Sequence, residues 1–214
     1  MPELLPRDFI ERKHFVNYSA AHVLDVHTPF SQVRDAFKAV PHGSTIPLKN
    51  DEALKTVSQD HWVFVPAGTA IEVEKTGTGE HWHYPVGMEL VHRFMDLNGK
   101  PFLIRLMRHI GDDIWRFGAY EPAGQDGGFG LLKIELSEPR TVTLDDPSLG
   151  RLNVSFAMLP TGQCNTCHAK HGSPGQVNGE EKTEPCEFRP DNAKVRKTAE
   201  RFLKPAVRKP AGRK

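Results

Sequence analysis

Across residues 88–110, two runs of alternating apolar and polar residues, MELVHRFMDL and PFLIRLMRHI, flank the dipeptide Asn98-Gly99. A two-residue period sends successive side chains to opposite faces of a strand, and Asn-Gly accepts the positive φ angles of a tight turn, so the stretch predicts a β-hairpin. Residues 62–74 (WVFVPAGTAIEVE) predict one or two strands around Pro66-Ala67-Gly68, and residues 113–120 (DIWRFGAY) predict the next strand. Residues 124–130 read as a glycine-rich loop, and residues 131–136, 141–144 and 152–158 as further short strands. Strands this short and this close predict an antiparallel sheet, curled into a sandwich or half-barrel.

The period differs at the two ends of the chain. Residues 30–40 (FSQVRDAFKAV) place Phe30, Val33, Phe37 and Val40 near a 3.6-residue repeat, and residues 51–57 suit another short helix, so residues 1–60 are expected to form a helical lead-in. Residues 161–190 hold few aliphatics and many Gly, Pro, Lys and Glu. Such a stretch cannot build a core and calls for a cofactor or metal to order it. In residues 191–203 (DNAKVRKTAERFL), Asp191 is placed as a cap, and Val195, Ala199, Phe202 and Leu203 share one face, which predicts a closing helix. The expected class is therefore α+β: a lead-in over 1–60, an antiparallel body over 61–160, a cofactor segment and closing helix over 161–203, and a disordered basic tail over 204–214.

Composition narrows the function classes. The chain has 214 residues, with 28 Lys+Arg against 27 Asp+Glu and a formal charge of +1, so it lacks the basic excess of a nucleic-acid binder. No stretch reaches the roughly 18 to 20 apolar residues of a membrane-spanning helix. Three cysteines cannot all pair as intramolecular disulfides, and two of them stand in Cys164-Asn165-Thr166-Cys167-His168. Two thiols three positions apart can reach the two vinyl groups of one porphyrin edge, and the adjacent imidazole can then ligate the iron. This pattern predicts one covalent haem c, with Cys164 and Cys167 as thioethers and His168 as proximal ligand.

The competing reading is a zinc-bound structural or interaction module using Cys164, Cys167, His168 or His171, and Cys186. It gives the third cysteine a role, and it fits a cytoplasmic chain. The haem reading instead expects a periplasmic or otherwise exported protein, although residues 1–13 carry no apolar signal region. Met88, Met95 and Met107 read as apolar filler of the hairpin, and Met158 lies only six residues before Cys164. No methionine is placed as an obvious sixth ligand, so a five-coordinate or weakly closed iron is expected. His81 and His83 point to one side of a strand, suited to a second metal or a pocket wall but read first as a polar strand end. His92 and His109 can face each other across the hairpin, although histidine in a strand is read first as structural, and under the haem reading Cys186 is left free, with Pro185-Cys186 ahead of Phe188 placed to pack on the cofactor edge.

With residues 84–91 (YPVGMELV), residues 115–120 (WRFGAY) and the late CNTCH motif in this order, the chain resembles the β-sheet cytochromes of the cytochrome P-460 and cytochrome c′-beta type over roughly residues 60 to 172. The resemblance implies a mostly antiparallel fold, a five-coordinate haem held by Cys164, Cys167 and His168, and oxidoreductase chemistry on small nitrogen compounds, often in homodimers. Residues 169–175 (AKHGSPG) stand where that family has an acidic-aromatic segment. The partner is then a redox protein or a small-molecule ligand, and simple electron transfer stands beside enzymatic turnover.

Overall fold

A computed structural model describes residues 1–18, 45–48, 58–77, 79–95, 100–123, 126–132, 139–146, 150–157, 176–177, 180–181, 188, 190–191 and 193–206. The N-terminal residues form β1 (Leu4–Leu5), the single helical turn α1 (Phe9–Arg12) and β2 (Val16–Asn17), followed by β3 (Thr45–Leu48). The body comprises β4 (Ser58–Phe64), β5 (Ile71–Thr76), β6 (Gly79–His83), β7 (Glu89–Met95), β8 (Pro101–Gly111), β9 (Ile114–Ala123) and β10 (Gly128–Leu131). Beyond it lie β11 (Pro139–Asp146), β12 (Gly150–Ala157), β13 (Gln176–Val177), β14 (Glu180–Glu181), α2 (Ala193–Ala199), a 3-10 turn (Glu200–Phe202) and β15 (Leu203–Pro205).

The main sheet has seven strands in the order β1-β10-β9-β8-β7-β4-β2, every neighbouring pair antiparallel. It is an open sheet whose two edge strands are only two residues long, which limits edge-to-edge pairing with other chains. The predicted hairpin is β7–β8, and its register pairs Glu89 with Arg108 and His92 with Arg105. β8 and β9 form a second hairpin, which turns through Asp112 (φ 51°) and Asp113 (φ 59°). Positive φ at both central residues matches the twist of the flanking strands, and aspartate tolerates it better than most residues. Gly128, Phe129 and Gly130, expected in a loop, instead form β10 with Leu131 and pair with β9.

Alternation along these strands gives the sheet two apolar faces. Val63, Leu90, Met107 and Trp115 share one face with a cluster that includes Tyr18, Ile71, Trp82, Met88, Phe188, Val195 and Ala199. A small sheet of order β15-β5-β6 contributes Ile71 and Trp82 to this cluster, and α2 contributes Val195 and Ala199. Val91, Ile104, Leu106 and Tyr120 point the other way and are covered by Leu5, Phe9, Ile10 and Phe15 of the N-terminal residues. The core is thus a central sheet with a cover on each face. Glu89, only 2% exposed, lies on the second face, where the Lys13 ammonium (2.9 Å) and the Arg108 guanidinium (2.8 Å) donate to it.

The ends of the chain depart from the helical expectation. Among the described residues of 1–60, strands β1, β2 and β3 outnumber the one turn of α1, and the helices expected over 30–40 and 51–57 lie outside the described residues. The closing helix is shorter than expected, since Leu203 begins β15, which pairs in parallel with β5. Lys204 and Pro205 therefore belong to a sheet rather than to the tail, of which residues 207–214 are outside the described set. β12 pairs with β11 antiparallel and with β3 in parallel, forming a separate three-stranded sheet.

Candidate functional site

The residues that carry the strongest chemistry, Cys164, Cys167, His168, His171 and Cys186, lie outside the described residues, as do Met158 and the Asn98-Gly99 turn. The structure does show what bounds their segment. β12 ends at Ala157, and the chain is next fixed in a core at Phe188, two residues beyond Cys186. Phe188 has no exposure; its ring meets Tyr18 edge-on at 5.2 Å and Trp82 at 5.9 Å, and its carbonyl accepts a 2.7 Å hydrogen bond from the Tyr84 hydroxyl. An aromatic plug with a backbone hydrogen bond ties the far end of the segment to the sheet. α2 follows directly; Arg196 on it donates to Glu80 of β6 at 3.1 Å, and that contact holds the Glu80 carboxyl below the usual carboxylate range.

The donor set is chemically suited to haem: two thiols at the spacing of the porphyrin vinyls, then an imidazole nitrogen, the strong proximal ligand of ferric and ferrous iron. The zinc set draws on the same residues with Cys186 added. Among the described residues no group of three or more His, Cys, Asp or Glu gathers to hold a metal ion.

The other sequence-marked histidines fall into distinct settings. His81 and His83 share the outer face of β6, rings 4.6 Å apart, and His83 Nε2 lies 3.0 Å from a Glu74 carboxylate oxygen at an exposed position. This matches a polar strand surface. An open cleft of about 1250 Å³ lies beside it, lined by both signs of charge, including Glu72, Glu74, Lys75 and Lys204. His92 and His109 do not face each other, because the β7–β8 register sets His92 opposite Arg105. His109 is 5% exposed, stacks on Trp115 at 5.0 Å and sits beneath the turn whose Gly87 N–H donates to the His109 carbonyl. Neither ring nitrogen makes a well-formed hydrogen bond among the described residues. Burial holds the ring below its ordinary pKa, while the nearby Pro85 and Tyr84 carbonyls and the charges of Asp113 and Asp112 oppose that shift.

The sequence reading passed over His61. β4 pairs with β7 so that His61 lies directly opposite His92, their rings 4.3 Å apart and crossed at 76°. His61 is 5% exposed and leans on Tyr18 at 5.6 Å, so a run of ring contacts joins Phe188 to Tyr18, His61 and His92. Met88 and Met107 are buried in the core cluster, as apolar filler should be. No helix among the described residues is long and apolar enough to cross a membrane.

No protein-family model matches this chain, and neither the curated proteins nor the solved structures yield a match.

Proposed function

We propose that this chain is a mono-haem c-type cytochrome of the exported, periplasmic kind. The observation that carries the proposal is Cys164-Asn165-Thr166-Cys167-His168, in which Cys164 and Cys167 bind the porphyrin and His168 ligates the iron. The setting supports it. A segment too polar to form its own core is held between strand β12 and the buried Phe188, and a covalently attached porphyrin would supply the missing apolar mass. When bound, haem supplies a one-electron iron couple, and the protein's part is to hold it, exclude water and present an edge to a redox partner.

The β-rich body is shared by the β-sheet cytochromes that the sequence resembles, so small-nitrogen oxidoreductase chemistry and a homodimer stay within this proposal. A zinc-bound interaction module is the second reading, favoured by the third thiol, Cys186. The deciding experiment is to express the chain behind an export signal in a host with c-type maturation, then take a pyridine haemochrome spectrum and an intact mass. One haem mass increment, lost in a Cys164→Ala/Cys167→Ala variant, is expected. No haem together with one zinc per chain would overturn the proposal.

A further inference from the structure

β5 and β6 set four metal-binding side chains on the outer face of the small sheet. Their register pairs Glu72 with His83 and Glu74 with His81, so two carboxylates and two imidazoles share one face of a two-stranded hairpin. The opposite face carries Val73 and Trp82, and Trp82, 2% exposed in the core, fixes the strand that bears both histidines. The donors therefore grow from backbone held by the core, while their own side chains stand at the surface.

The spacing suits one ion. Residues two apart on a strand are separated by about 6.6–6.8 Å, and directly paired residues by about 4.5–5.5 Å between Cβ atoms. A metal about 2.0–2.2 Å from each donor atom, set above such a group, is within reach of imidazole and carboxylate arms from three of its corners. The rings already lean together: the centroids of His81 and His83 lie 4.6 Å apart, and His83 Nε2 lies 3.0 Å from a Glu74 oxygen. Among the described residues no three donors converge while Glu74 stays on His83. That contact is the one an ion would replace. Its side chains are 56% and 44% exposed, and so wet a pair contributes little, so exchanging it for two bonds to a metal costs little. The register also separates the two carboxylates, because Lys204 of β15 is paired with Glu72, whereas Glu74 is the one in contact with His83. The group opens onto the cleft of about 1250 Å³, whose lining includes Glu72, Glu74 and His83 and leaves room for water on the ion.

We propose that His81, His83 and Glu74 bind one divalent first-row transition metal ion of the zinc type, with water from the cleft filling the remaining positions. Two imidazoles and a carboxylate favour such ions over calcium and magnesium, which take all-oxygen sites. Glu72 supplies negative charge beside the ion and is not a ligand. The site is separate from Cys164-Asn165-Thr166-Cys167-His168 and needs neither haem nor thiol.

The test measures zinc bound per full chain by equilibrium dialysis against a graded series of free zinc, with calcium and magnesium in excess. Changing a residue that only supports a metal ligand costs about 10–100-fold in affinity. His81→Ala, His83→Ala and Glu74→Gln are therefore each expected to weaken one zinc by more than about 100-fold, and Glu72→Gln by less than about tenfold. Zinc held through the thiols is common to all these chains and drops out of the comparison. Thermal melts without zinc check that each variant is folded. Should a variant not fold, X-ray absorption at the zinc edge of the wild type decides, and a zinc with two imidazoles and oxygen around it is expected. Wild-type zinc binding in either histidine variant or in Glu74→Gln, displacement of the zinc by calcium or magnesium, or zinc bound only through sulfur with a single imidazole would each overturn the site.

Discussion

Replacing Phe188 by alanine removes the buried side chain that anchors in the core the stretch just beyond Cys186. Truncating a buried Phe costs about 3–5 kcal/mol, and the cost rises when the surroundings cannot collapse into the cavity. The core cluster that holds Phe188 draws on independent layers: Trp82 and Ile71 from the small sheet, Val195 and Ala199 from α2, and Val63 and Leu90 from the main sheet, each at most 2% exposed. No one layer can move in without leaving another, so the upper half of that range applies. For a chain of this length each kcal/mol shifts Tm by about 2–4 °C, so Phe188→Ala should melt roughly 8–20 °C below the wild type. Tyr84→Phe keeps the ring packing and removes only the 2.7 Å bond to the Phe188 carbonyl, a loss of about 1 kcal/mol. Thermal melts followed by circular dichroism separate the two. A Phe188→Ala melt within about 2 °C of the wild type would refute the claim that this residue closes the core.

Glu89→Ala strands two cations, but Lys13 and Arg108 are 43% and 33% exposed and can return to water, so the expected loss in urea titration is on the order of 2–3 kcal/mol, below that of a fully enclosed pair. His109 gives a pH signature. Its folded pKa lies below the ordinary 6.5, so the unfolded chain takes up a proton that the folded ring resists. Its contribution to stability is intact above pH 6.5 and declines as pH falls below it, and His109→Leu should flatten the slope of stability between about pH 7 and about pH 5. Gly87 holds φ +84°, and a Cβ there would lie 3.3 Å from the Pro66 ring, so Gly87→Ala should cost about 1–2 kcal/mol by chemical denaturation; an unchanged midpoint would contradict the turn geometry.

Local patterns in the sequence foretold the local parts of the fold. The alternation of residues 88–110 was enough for the β7–β8 pair, because strand period and face burial are the same fact seen twice. A register centred between residues 98 and 99 also pairs His92 with Arg105, so the His92–His109 contact conflicts with the hairpin's own geometry. The N-terminal elements were not legible: Leu4–Leu5 becomes a strand only because Gly130 and Phe129 wait at the far side of the sheet. Nor was His61, whose meaning comes from lying opposite His92 on a strand thirty residues later. The motif itself was readable because thiol and imidazole chemistry depends on spacing along the chain, whereas a pocket depends on which strands become neighbours.

Leu203 of β15 pairs with Ile71 of β5, so the last described strand docks on one laid down long before it. The main sheet can therefore assemble while the half of its cover formed by α2 and β15 is still to come. Under the haem proposal, a maturation enzyme that needs an accessible Cys-x-x-Cys-His would meet its target in that interval, before the cover has closed. The order of residues along the chain then serves as an order of events: scaffold first, cover last.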